Sequence, residues 1–333
     1  MRWISTAKGR LALAAVALGL AVAFPGGGHA PRAAEPAPTV SDAIAHGKET
    51  YDKKDFTEAM RWYRVAADQG DGEAEDKVGV MYALGQGVTQ NYAEALGWYR
   101  RAAEHGYAGA ATNIGVMYLN GQGVAKDDAE AMAWFRKAAD KGFAPAEYFV
   151  GVMYAQGRGV AKDDAAALTW YRKAAEQGNV KAEYFVGNDY EHGRGVPQDD
   201  AEALRWYRMA ADQGDATGEY FVGTMYRSGR GVAQDYSVAL QWFRKAADQG
   251  DAAATDEIGI LYEYGDGVTR DYTEAMRWYR KAADQGFAPA QYNVGDLYAN
   301  GRGVPQDMGQ AREWITKAAA GGSDSATKWL AEH

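Results

Sequence analysis

Eight tryptophans, Trp62, Trp98, Trp134, Trp170, Trp206, Trp242, Trp278 and Trp314, follow one another at a constant interval of 36 residues. The same step carries Gly79 to Gly115, Gly151, Gly187, Gly223, Gly259 and Gly295, and Tyr82 to Tyr118, Tyr154, Tyr190, Tyr226, Tyr262 and Tyr298. A chain that copies itself at this interval gives every copy the same apolar face. No copy can bury that face alone, so the copies must stack. At 333 residues a compact protein would form one or two domains; the period predicts a core spread along an axis instead.

Each copy reads as two short helices. In residues 71–106, Ala74, Val78 and Tyr82 recur every fourth position and share one face. Gly79 beside them lowers helix propensity by about 1 kcal/mol relative to Ala. Carrying that cost in every copy makes sense if a neighbouring group comes too close for a Cβ. Gly85 supplies the left-handed residue that ends the helix, and Val88 is expected to plug the following loop into the core. The second helix opens at Asn91 with Glu94 three residues later, the spacing of a capping box. Pairs such as Asp127/Glu130, Asp199/Glu202 and Asp271/Glu274 repeat it. Its apolar face is Ala95, Trp98, Tyr99, Ala102 and Ala103. Pro145 and Pro289 fall in the first turn of a following helix, where a missing N–H costs little. The indoles are expected to carry much of the cohesion, since each can bury ~150–250 Å², worth up to ~4–6 kcal/mol.

The first thirty residues read as a signal peptide. Arg2, Lys8 and Arg10 precede an uncharged apolar run from Leu11 to Phe24, a Pro25-Gly26 breaker and the small residues Gly28 and Ala30. Fourteen such residues are too few to cross a hydrocarbon core, which takes about 20, so no membrane span is expected after cleavage. Residues 31–40, with three of the eight prolines, read as a linker. Cleavage removes three positive charges from a chain of net −9, leaving it near −12. That charge, with no basic stripe, argues against nucleic acid as a partner. The absence of cysteine excludes disulfides and thiolate metal sites. The expected location is periplasmic or secreted.

The string AEYFVGVMYAQGRGVAKDDAAALTWYRKAAEQG at residues 146–178 resembles the Sel-one-like repeat family, whose units are tetratricopeptide-related helix pairs with a longer glycine-containing loop. The resemblance covers residues 71–322 as seven units. It implies an all-α, right-handed superhelical solenoid of stacked helix pairs. Residues 41–70 depart from it: Tyr51-Asp52-Lys53-Lys54-Asp55-Phe56 replaces the glycine loop and resembles an ordinary tetratricopeptide turn. Residues 323–333 read as a truncated first helix that caps the stack, with Trp329 and Leu330 at the places of Phe149 and Val150. Members of the family act as interaction scaffolds, and exported bacterial members work in the envelope.

Catalytic patterns are scarce. The five histidines share no spacing. Asp189, Glu191 and His192 form a local polar cluster, read as a surface patch in preference to a metal site because ligand spacing is lacking. Gly-x-Gly-Val follows a helix and lacks the Lys-Ser/Thr of a phosphate loop; it is a turn. Ser5-x-x-Lys8 lies in the leader and Ser325-x-x-Lys328 in the cap. Neither has the partner motifs of penicillin-recognising enzymes. No enzyme activity and no cofactor are expected.

The remaining candidate is a groove. By tetratricopeptide analogy, positions equivalent to Asp76, Val80 and Ala83 line a concave face, and there the copies differ most from one another. Tyr148, Tyr184, Tyr220 and Tyr292 occupy the first position; Asn188 and Thr224 the second; Glu191 and Arg227 the third. Tyrosine offers contact area at small entropic cost, so a ladder of them suits a protein or peptide, with a glycan as the alternative. Against this stands the reading that tyrosine there only shields the core. Phe149, Phe185 and Phe221, which follow three of the tyrosines, read as packing residues. The function expected is an exported scaffold or regulator holding partner proteins in the envelope. The alternatives are a glycan- or exopolysaccharide-binding protein and a hydrolase of β-lactam or cell-wall substrates.

Overall fold

The computed structural model describes residues 38–333; the signal peptide and all but the end of the linker expected from sequence lie outside the described residues. The described residues form helices joined by turns, with no strand among them. The first nine are α1 (Val40–Asp52), α2 (Phe56–Ala67), α3 (Gly72–Leu84), α4 (Tyr92–Glu104), α5 (Ala108–Asn120), α6 (Asp128–Ala139), α7 (Ala144–Gln156), α8 (Asp164–Glu176) and α9 (Val180–His192). There follow α10 (Asp200–Asp212), α11 (Ala216–Ser228), α12 (Tyr236–Asp248), α13 (Ala252–Tyr264), α14 (Tyr272–Ala283), α15 (Ala288–Asn300), α16 (Met308–Ala320) and α17 (Asp324–Glu332). Every helix packs on the one before it and the one after it, so each unit is a hairpin seated on its neighbours. The protein is an all-α repeat solenoid.

The close approach signalled by Gly79 is real, and its cause is an aromatic ring. A Cβ there would lie 2.6 Å from Cε1 of Tyr99 and 3.3 Å from the Ala95 carbonyl oxygen. Phe135, Tyr171, Tyr207, Phe243 and Tyr279 press in the same way on Gly115, Gly151, Gly187, Gly223 and Gly259. These rings, one residue after each tryptophan, are the large side chains of the core, Tyr207 and Phe243 being fully buried. The tryptophans are less central than expected. Trp206 and Trp314 are buried, but the other six of the series are only half-buried. On α4 the stripe Ala95, Tyr99, Ala103 faces inward with a four-residue step. Trp98, one position earlier, falls at its edge. There the indoles take cations over their rings: Lys173 on Trp170 at 4.0 Å and Lys245 on Trp242 at 3.7 Å.

The helix ends explain the loop. Gly85 closes α3 at φ 69°, and Gly87 at φ 70° runs so near the start of α2 that a Cβ would sit 2.3 Å from the Phe56 carbonyl oxygen. Asn91 caps α4 by accepting from the N–H groups of Ala93 and Glu94. Only this half of the capping box forms. The Asn91 N–H donates instead to the Tyr82 carbonyl at 2.9 Å, so the glutamate at the third position turns elsewhere. Glu274, for example, accepts from Trp278 and pairs with Arg277. Adjacent units are latched by arginine: Arg64 donates to the Tyr82 hydroxyl at 2.7 Å and Arg280 to that of Tyr298 at 2.9 Å. In the first unit Lys54 takes φ 62° where later units use glycines. At the other end Trp329 and Leu330 of α17 pack over Ile315 and Ala318.

Candidate functional site

Tyr148, Tyr184 and Tyr220 are half-buried and belong to one connected run of rings. Phe149 stacks on Phe135 with centroids 4.8 Å apart, Phe185 on Tyr171 at 5.1 Å, and Phe221 on Tyr207 at 4.9 Å. Each tyrosine wedges beside these stacks. Tyr148 lies 5.8 Å from Phe185, Tyr184 lies 5.2 Å from Phe221, and Tyr220 lies 6.0 Å from Phe243. The phenylalanines therefore pack, as expected, and they hold the tyrosines in fixed orientations. Burial pushes all three phenols above the ordinary tyrosine value, which keeps them neutral. No group among the described residues bonds their oxygens, and none of those oxygens is sealed from solvent. Tyr292 stands apart from this run: it packs at the cap, on the cluster that contains Ile315 and Ala326. The ladder is interrupted before it by Asp256, which is buried.

The polar residues singled out with the tyrosines are mostly held by the protein itself. Thr224 donates to the Phe221 carbonyl at 2.8 Å. Arg227 pairs with Glu257 at 3.3 Å. Glu191 accepts from the Tyr207 hydroxyl at 2.6 Å and from Arg230 at 2.6 Å. Asn188 Oδ1 accepts from Arg194. The cluster of Asp189, Glu191 and His192 does not converge: Asp189 bonds Arg194, and His192 Nδ1 sits 2.9 Å from the Asn188 carbonyl oxygen. Among the described residues no group of three or more metal-ligating side chains comes together.

Two sets of buried carboxylates escaped the sequence reading. Glu147, Glu183 and Glu219 on the first helices accept from Gln177, Gln213 and Gln249 at the ends of the second helices, at 2.7 to 2.9 Å. Burial raises all three carboxyls, against the lowering effect of the amide donors and, at Glu147 and Glu219, of Lys173 and Lys245. The signal was present, since three of the four copies with this glutamate have a glutamine thirty residues on; the fourth, Glu75, has His105 there, 2.7 Å away. Asp76 and Asp256 accept from Asn113 and Asn293, one unit further along, at 2.8 and 2.9 Å. Burial pushes Asp76 up to about 6 and Asp256 up to about 7.

Stacked hairpins with a glycine loop and an interior of rings pressed on glycines define an α-solenoid of helix-pair repeats. The Sel1 repeat family matches residues 43–71, 72–107, 108–143, 144–179, 180–215, 216–251, 252–287 and 288–323. The chain belongs to that family. Among solved structures it is similar to a protective antigen of uropathogenic Escherichia coli strains displaying an SLR fold, with 40% identity and a TM-score of 0.74 over 86% of this chain. This chain spans 63% of that one. It is also similar to a Sel1 repeat protein from Oxalobacter formigenes, with 35% identity and a TM-score of 0.68, over 88% of this chain and 87% of that one. No curated protein matches it. No helix among the described residues is long and apolar enough to cross a membrane.

Proposed function

We propose that the protein is an exported scaffold whose wall of first helices, α7, α9 and α11 above all, holds a partner protein. One observation carries this reading. Tyr148, Tyr184 and Tyr220 are oriented by stacked neighbours while their phenols stay unpaired and open to water. Rings fixed in advance lose little entropy on binding, and each can contribute both apolar area and a hydrogen bond. Asn188, Glu191, Thr224, Arg227 and Tyr292 border the same wall. Their roles are secondary, because most of their polar atoms are already engaged. The leader-like N-terminus supports a periplasmic or secreted location, and so does the kinship with a protective antigen.

The test is crosslinked capture from envelope extracts, followed by binding of the purified captured protein to the parent chain and to Tyr148→Phe/Tyr184→Phe/Tyr220→Phe. Phenylalanine keeps the stacking and removes only the phenols. The triple variant should keep its helical circular dichroism and bind about tenfold or more weakly. Equal affinity for parent and variant would place the contact surface elsewhere.

A further inference from the structure

One unit breaks the repeat at a buried position, and the break rearranges its junction with the unit before it. Six first helices place a buried methionine or leucine at the position before the recurrent tyrosine: Met81, Met117, Met153, Met225, Leu261 and Leu297. The fourth glycine-loop unit places Asp189 there, only 5% exposed. A lone carboxylate in that position would be costly. It is held by Arg194, whose Nε donates to Asp189 Oδ1 at 2.8 Å.

Arg194 is taken from another duty. It occupies the middle of the Gly-x-Gly loop, where Arg158 and Arg230 reach back thirty residues to the aspartate that opens the preceding second helix. Arg158 donates to Asp128 at 2.6 and 3.0 Å, and Arg230 to Asp200 at 2.7 and 3.2 Å. The equivalent aspartate for Arg194 is Asp164. It is present, but Arg194 turns inward to Asp189 and Asn188, leaving Asp164 with Lys162 at 3.4 Å. Where Arg158 and Arg230 bridge their junctions, this one opens into a cavity of about 330 Å³ between α7, α8 and α9. A cavity of about 340 Å³ at the equivalent place between α1, α2 and α3 is lined by Lys48, Asp52, Glu73 and Lys77 and has Met81, not a carboxylate, at the place of Asp189. Tyr148, Tyr171 and Phe185 form its aromatic side. Gln156, Asn188 and the two ion pairs form its polar side.

We infer that this notch is a binding site for a neutral sugar ring. Every charge lining it has its opposite within the lining, Arg194 with Asp189 and Lys162 with Asp164, so a phosphate, a carboxylate or an ammonium meets no net attraction. What remains is hydrogen-bonding capacity in planar, paired form: two side-chain amides, the uncommitted N–H groups of a fixed guanidinium, and carboxylate oxygens. Planar paired donors and acceptors match vicinal hydroxyls. An aromatic wall matches the C–H face of a pyranose, and the volume lies at the small end of ligand pockets. A peptide main chain would favour a feature repeated along the wall; the buried carboxylate with its inward-turned arginine belongs to a single junction. The site is separate from the capture of a partner protein by the tyrosines, although Tyr148 borders both.

The test uses the full chain, titrated with cellohexaose, maltohexaose and chitohexaose by calorimetry and followed by saturation-transfer NMR. The decisive variant is Asn188→Val/Asp189→Met, which copies the Val116-Met117 and Val152-Met153 pairs of neighbouring units. It restores the apolar position and frees Arg194 to bridge to Asp164, so it should fold with an unchanged or higher unfolding midpoint. At least one oligosaccharide should bind the parent saturably, and the variant should bind it about tenfold or more weakly. Absence of saturable binding by all three would overturn the proposal, and so would equal binding by the variant. Binding only of a charged peptide, lost in the same variant, would overturn it in favour of a protein side chain. Asp189→Met alone leaves Asn188, Tyr148, Tyr184 and Tyr220 untouched, so partner capture by this single variant persists if the scaffold reading holds, whatever the sugars do.

Discussion

Two glycines in one hairpin set opposite expectations for the same substitution. Gly79 lies within α3 and Gly97 within α4, and either, replaced by alanine, gains about 1 kcal/mol of helix propensity. At Gly97 nothing lies within 4 Å of the new Cβ, so that gain should appear nearly whole. At Gly79 the Cβ would stand 2.6 Å from Cε1 and 2.7 Å from Cδ1 of Tyr99, roughly 1 Å inside a normal carbon contact. Tyr99 is buried at 4% exposure, and the Ala95 carbonyl closes the other side at 3.3 Å, so neither ring nor helix can step back cheaply. Overpacking of this kind costs about 1–3 kcal/mol. Gly79→Ala should therefore lose up to about 2 kcal/mol net, and the two variants should differ by roughly 1–3 kcal/mol. Urea unfolding followed by circular dichroism reports the midpoints. Because solenoids can open unit by unit, amide exchange in α3 and α4 should show the loss locally. If Gly79→Ala were as stabilising as Gly97→Ala, the account of why the glycine recurs would be wrong.

Further expectations concern the buried acids. Asp256, pushed up to about 7 by burial against an unfolded value of 3.8, binds a proton in the folded chain that the unfolded chain releases. Its contribution is therefore fully present below about pH 4 and is lost as pH rises through about 7. Asp256→Asn keeps the acceptor for Asn293, so thermal unfolding should show a gain of about 2–4 kcal/mol at pH 8 and little change at pH 4; a variant equally stabilised at both would refute the titration. Gln213→Ala strips both amide bonds from Glu183, which is 1% exposed. It should cost about 1–3 kcal/mol. Losing the donor raises that carboxyl further, so the penalty should be larger at pH 8 than at pH 4 in urea titrations, and a constant penalty would count against the pairing.

The 36-residue interval carried almost all of the architecture, because helix pairing, glycine termini and capping are local and recur in every copy. What it misjudged was which ring does the packing. Trp98 is the larger side chain, but Tyr99 is the one in step with Ala95 and Ala103, and helix geometry decides burial before size does. Paired interactions were harder to read. Glu183 and Gln213 are thirty residues apart and look like ordinary surface polar residues until two helices bring them together. The tyrosine row was visible as a column of like residues, yet its rigidity was not, since that depends on Phe185 and Phe221 stacking on the unit before. Arg194 was least legible of all: Asp164 and Asp189 both lie within its reach, and only the cost of leaving a buried carboxylate alone decides between them. A repeat protein supplies its own controls for such choices. Positions where all units agree hold the stack together. A buried position where one unit departs, as Asp189 departs from methionine, gives up packing that its neighbours keep, and ligand contact at that junction is the compensation we would look for first.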